Sequence, residues 1–145
     1  MIVAGHSGGA AITANILGRH PRLIDAALLV SCPCGYVNDW RQSVFRLTGM
    51  SLFKGKLKVP SLSPIAQIKD MSDQVPVVLM TGTKDKVAPL KFAEQYQAKA
   101  TKAGKNVTLI KLQGRPHNTF LYSKVFAEVG VLIHMQESGS SSGKQ

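Results

Sequence analysis

Three residues of this chain combine the types and order that activate a hydroxyl as a nucleophile. Ser7 lies in Gly5-His6-Ser7-Gly8-Gly9, Asp85 in Gly82-Thr83-Lys84-Asp85-Lys86-Val87-Ala88-Pro89, and His117 in Gln113-Gly114-Arg115-Pro116-His117-Asn118. A serine hydroxyl is a weak nucleophile at neutral pH. A histidine must accept its proton as it attacks a carbonyl, then return that proton to the leaving group. A carboxylate beside the histidine fixes the imidazole tautomer and stabilises the imidazolium that forms. Ser7, His117 and Asp85 are the candidates for these roles.

Such chemistry needs elements that bring the three together. Gly5 to Gly9 is a G-x-S-x-G pattern placed between an apolar run, Met1 to Ala4, and a helix-like stretch, Ala10 to Arg19. This is the setting of a nucleophile elbow, a strained strand-to-helix turn that holds the serine out at the top of a sheet. Both Gly5 and Gly9 are expected to be glycine because a side chain would collide with the neighbouring strand or helix. Gly18 and the His20-Pro21 step are expected to end the helix. Further strands are predicted at Ala26 to Cys32, Val75 to Thr81 and Val107 to Leu112. Helices are predicted at Leu90 to Ala103, with Gly104 as its cap, and at Thr119 to Gln136, with Leu121, Val125, Val129, Leu132 and Ile133 on one face. Pro33 to Pro64 is irregular, with room for a short helix in Trp40 to Leu52, and Pro64 to Met71 is a further helical piece. This alternation predicts an α/β fold: one twisted parallel sheet with helices on both faces. The loops bearing Ser7, Asp85 and His117 each follow a separate strand, at the rim where such sheets collect functional groups.

Composition bounds the rest. The 145 residues are 44% hydrophobic, enough for one globular core. Eighteen Lys and Arg against eight Asp and Glu give a formal charge of +10. The basic residues are scattered, the densest group being Lys54-Gly55-Lys56-Leu57-Lys58, so no nucleic-acid partner is expected. No apolar run reaches the roughly 20 residues of a membrane span, and no membrane partner is expected. The first residues lack the character of a signal peptide, which says little about location: it is left as unknown, with cytoplasmic as the default. Cys32 and Cys34 are too few for a disulfide framework and poor evidence for zinc, and read as small packing residues. No metal or cofactor is expected. Residues Ser138 to Gln145 have flexible-linker composition and are expected to be disordered.

The pattern as a whole resembles the α/β-hydrolase superfamily, and within it the prolyl oligopeptidase-like and related esterase branches. Gly5-His6-Ser7-Gly8-Gly9 is similar to the elbow of that family, Gly82 to Pro89 to its G-x-x-D-x-x-V-P acid segment, and His117 to its histidine. The resemblance covers residues 1 to about 136 and implies a serine hydrolase that cleaves an ester or peptide bond through an acyl-enzyme. It implies that residues 1–137 form the C-terminal portion of a catalytic domain beginning at the elbow strand. The backbone N–H of Gly8 is one implied oxyanion donor; the second comes, in that family, from a loop before the elbow strand. Losing one such donor costs roughly 100- to 1,000-fold in rate.

Each residue alone has a more ordinary reading: Ser7 as a helix cap or part of an anion-binding turn, Asp85 as a turn residue, His117 as a loop histidine. His6, His20 and His134 lack the post-strand setting, and Asp25, Asp39, Asp70 and Asp73 are mostly turn or cap candidates. Tyr36 and Trp40 are candidates for lining a pocket, against packing roles. Three functions stay open: a serine hydrolase acting on a small ester or peptide, a silent fragment without a complete oxyanion hole, and a basic interaction module. The first strand, with a neighbour on one side only, leaves an edge open to self-association.

Overall fold

In the computed structural model the described residues are 1–35, 63–118, and 123, 125, 127–132 and 134. Tyr36, Asp39, Trp40, the Lys54 to Lys58 group, Leu121, Ile133 and the Ser138 to Gln145 tail, for which the sequence raised expectations, lie outside them.

Four strands, β1 (Ile2–His6), β2 (Ala26–Val30), β3 (Val77–Gly82) and β4 (Val107–Leu112), form one parallel sheet in the order β1-β2-β3-β4. Strand β2 has a neighbour on each side, and all five of its residues are buried. A strand covered on both faces has no position that favours a polar side chain, which is why Ala26-Ala27-Leu28-Leu29-Val30 is a continuous apolar run rather than an alternating one. Its side chains divide between two cores. Ala27 and Leu29 join one cluster with Ala10, Ala14 and Leu17, Ile65 and Ile68, Leu79, and Tyr96 and Ala100. Ala26, Leu28 and Val30 join the other, with Met80, Leu112, Val125 and Leu132.

Helix α1 (Gly8–Arg19), α2 (Pro64–Gln67) with the 3-10 turn that follows it (Ile68–Asp70), and α3 (Leu90–Lys102) therefore cover one face of the sheet. Helical residues at 123, 125, 127–132 and 134 supply Val125, Leu132 and the partly buried Val129 to the other. Helix α3 buries Phe92, Ala93, Tyr96 and Ala100, the four-residue spacing that places one stripe against the sheet. Each fully buried leucine or phenylalanine contributes about 1.5–3 kcal/mol relative to an exposed one. Two clusters thus hold the strand ends in place from both sides.

The element boundaries depart from expectation in instructive ways. Strand β1 runs on through Gly5 and His6, and α1 starts at Gly8, so only Ser7 separates strand from helix. Gly18 lies inside α1, and the helix ends at Arg19, before His20 and Pro21. Strand β2 stops at Val30 because Ser31 takes a left-handed backbone with φ 47.

Cys32 and Cys34 correct a further expectation. Both are buried in the first core, as packing residues are, but they are joined in a disulfide. Their Cα atoms are 5.0 Å apart, within the span a disulfide bridges. A Cys-x-Cys spacing too short for a framework is still long enough to close a local loop.

Candidate functional site

Ser7, Asp85 and His117 converge at the carboxyl end of the sheet. The turn at Ser7 is fixed from both directions: its N–H donates to Val30 C=O at 2.9 Å, and its C=O accepts from Ala11 N–H at 3.1 Å. Between these two bonds the chain reverses within one residue, at φ 52. Non-glycine residues rarely adopt such a backbone, and it persists only where surrounding contacts over-determine it.

Gly5 makes the reversal possible. A Cβ there would lie 2.7 Å from Gly9 O and 2.8 Å from Ala10 Cα, so strand and helix could not cross. Gly9 is different from expectation. A Cβ on Gly9 meets nothing within 4 Å among the described residues, because this residue is on the exposed side of the first turn of α1.

Asp85 is held by the loop after β3. Its Oδ1 accepts from Val87 N–H at 2.9 Å and Ala88 N–H at 2.8 Å, a local turn in which the carboxylate stands in for a backbone acceptor. The residue is 6% exposed. Burial by itself raises a carboxyl pKa. Here the hydrogen bonds from His117, Ala88 N–H and Ser31, with the attraction of a charged His117, outweigh burial and hold Asp85 below its ordinary value. A carboxylate so held stays ionised.

His117 reaches Asp85 with Nδ1, 2.9 Å from Oδ2 and 3.1 Å from Oδ1, and Ser7 Oγ with Nε2, at 3.0 Å. An ionised carboxylate only accepts, so Nδ1 carries the proton and donates it. Nε2 of the neutral ring is then left with its lone pair toward the Ser7 hydroxyl, which donates. A neutral His117 in this tautomer presents an acceptor to the serine hydroxyl.

The His117 loop is docked from two sides. Toward β3, Lys84 N–H donates to Arg115 C=O at 3.0 Å and Gly114 N–H to Thr83 Oγ1 at 2.9 Å. Gly82 allows this approach: a Cβ on it would overlap the Arg115 carbonyl. Toward β1 and β2, the main-chain carbonyl of His117 faces two side chains, His6 Nε2 at 3.0 Å and Ser31 Oγ at 3.2 Å. The rings of His6 and His117 are also neighbours, with centroids 5.0 Å apart. Neither His6 nor Ser31 stands out in the sequence. His6 occupies the variable position of G-x-S-x-G, and Ser31 falls inside the run expected to be a strand, Ala26 to Cys32, so no signal in the sequence marks either.

Gly8 opens α1 directly after Ser7, and its position is free of side-chain crowding among the described residues. His20 and His134 are exposed. Asp70 ends the 3-10 turn, and neither it nor Asp73 belongs to the site. Among the described residues no group of three or more His, Cys, Asp or Glu is placed to hold a metal ion, and no helix is long and apolar enough to cross a membrane.

A parallel sheet bearing a serine, a histidine and an acid on its carboxyl-end loops defines a class of fold, the α/β-hydrolases, here present in part. The model of the prolyl oligopeptidase family matches residues 1–128, and the chain belongs to that family. Its fold is shared with Pyrococcus horikoshii acylaminoacyl peptidase (18% identity, TM-score 0.69, covering 83% of this chain and 20% of that one). It is shared too with a Pyrococcus furiosus esterase (17% identity, TM-score 0.75, 92% and 53%). Porphyromonas gingivalis dipeptidyl peptidase 4 is a third such structure (15% identity, TM-score 0.72, 92% and 19%). The chain thus spans from about a fifth to about half of these proteins. No curated protein sequence matches it.

Proposed function

We propose that this chain carries the catalytic residues of a serine hydrolase that cleaves an ester or peptide bond through an acyl-enzyme. The observation that carries the reading is the unbroken row from Ser7 Oγ to His117 Nε2 at 3.0 Å and from His117 Nδ1 to Asp85 Oδ2 at 2.9 Å. Ser7 Oγ attacks the substrate carbonyl carbon as its proton passes to Nε2. The tetrahedral intermediate collapses, the proton moves from Nε2 to the leaving alcohol or amine, and the acyl group stays on Ser7. Water then repeats the cycle, giving up its proton to Nε2 and releasing the acid. The Gly8 N–H is positioned by its place after the nucleophile to donate to the oxyanion. Family membership and the peptidase and esterase neighbours support the same reaction class.

The test is covalent capture. In the full-length product of its gene, a fluorophosphonate is expected to label Ser7 and no other residue. Ser7→Ala is expected to abolish both labelling and ester hydrolysis with the thermal midpoint retained. Hydrolysis that survives Ser7→Ala would place the nucleophile elsewhere.

A further inference from the structure

Two non-glycine residues among those described have a left-handed backbone, Ser7 and Ser31. The register pairs His6 with Val30, so each serine stands one residue beyond the end of adjacent parallel strands, β1 and β2. The proposed function uses the first of them. Ser31 is fully buried, its N–H donates to Met80 C=O at 2.8 Å, and its Oγ donates to the main-chain carbonyl of His117 at 3.2 Å. The same hydroxyl also faces the Asp85 carboxylate, so its one proton is shared between the two acceptors and contributes to holding the carboxyl below its ordinary value. A strained conformation at a buried polar residue, pointing at two members of a reactive row, is a motive to look for function.

The loop that bears His117 belongs to no helix or strand, so the direction of its ring depends on what its backbone touches. The loop after β3 fixes it from one side. From the other, side chains at the ends of β1 and β2 reach it: His6 and Ser31. Ser31 reaches the histidine's main chain and faces the acid's side chain.

Resting on the reading of Ser7, His117 and Asp85 as the catalytic row, we propose that Ser31 is a positioning residue for the reaction. Its hydroxyl, presented by the left-handed turn at the end of β2, locks the His117 backbone and the Asp85 carboxylate to each other, so that Nε2 stays on Ser7 Oγ. Ser31 acts through these partners and does not meet the substrate.

Two substitutions separate the hydroxyl from the backbone. Ser31→Gly removes the hydroxyl but favours the left-handed turn, whereas Ser31→Ala removes it and keeps the conformational cost. Both are expected to lower kcat about tenfold, the scale of one hydrogen bond to a charged group, with KM little changed. Without its Ser31 donor the carboxylate becomes more basic and holds the proton of the Asp85–His117 pair more tightly. The acid limb of the pH–rate profile should therefore move to higher pH in both variants, a shift that loss of folded protein does not produce. The measurements are made on the full-length gene product with an activated ester, rates being normalised to the fluorophosphonate-labelled fraction. Wild-type kcat in Ser31→Gly, or a loss of rate with an unmoved acid limb, overturns the proposal; Ser31→Gly decides alone if Ser31→Ala does not fold. Ser7→Ala, run in parallel, tells the two failures apart. If it is inactive while the Ser31 variants resemble wild type, only the role of Ser31 falls; if it remains active, the catalytic row falls and Ser31 with it.

Discussion

Asp85 shows how one residue ties stability to chemistry. Its carboxylate is buried yet ionised because three kinds of donor surround it: two backbone N–H groups of its own loop, the His117 ring and the Ser31 hydroxyl. In Asp85→Asn the side chain is nearly isosteric but can donate to His117, which favours the wrong tautomer and turns the lone pair away from Ser7. The expected loss in kcat is about 10⁴-fold. The same substitution has a pH signature in stability. A carboxyl held below its ordinary value when folded binds protons more readily when unfolded. Its contribution is thus complete above the ordinary carboxylate pKa, about 3.9, and is lost as the pH falls through the folded value. Thermal midpoints of wild type and Asp85→Asn should converge as the pH falls from the carboxylate range into strong acid. A difference that persists undiminished below the carboxylate range would contradict the lowered value.

At the scale of elements, the turn between β1 and α1 makes a contrast testable by its two flanking glycines, Gly5 and Gly9. Gly5→Ala puts a methyl against backbone atoms of Gly9 and Ala10, which cannot rotate away, so strand and helix must separate. Overpacking of this kind costs about 1–3 kcal/mol and displaces Ser7. Gly9→Ala adds its methyl where no described residue lies within 4 Å, in a helix, where alanine is better than glycine by roughly 0.5–1 kcal/mol. Urea unfolding should show the first variant destabilised and the second unchanged or stabilised. Equal effects would mean that the crossing is looser than drawn. These elements also show what was legible beforehand. The strands of the sheet, the face of α3 and the loops bearing Ser7, Asp85 and His117 follow from apolar runs and their punctuation, because a buried parallel strand permits little else. Ser31 and His6 were not legible, since their meaning depends on the register that sets His6 beside Val30. Nor was the Cys32–Cys34 bond, or the freedom at Gly9: both depend on distances across a turn, which residue types do not specify.

For the whole molecule, the telling feature is that β1 has a partner on one side only among the described residues. Its outer row of backbone N–H and C=O groups is flanked by Ile2 and Val3, both only partly buried, and by exposed Ala4 and Met1. An edge of this kind is a template for another strand. Opposing it is the formal charge of +10, which makes two copies repel at long range. The two effects respond to salt in a definite way. Strand pairing depends on short-range hydrogen bonds and apolar contact, whereas repulsion between exposed charges is screened beyond about 10 Å at 0.1 M salt. The isolated 145-residue polypeptide is therefore expected to associate more strongly as salt is raised, whereas a basic surface that binds nucleic acid would bind less. Ala4→Lys places a charge on the exposed edge at little cost in burial and should shift the sedimentation profile back toward monomer at every salt concentration. Association that persists unchanged in Ala4→Lys would locate the contact away from β1, and a monomer at high salt would show that the edge is not available for pairing.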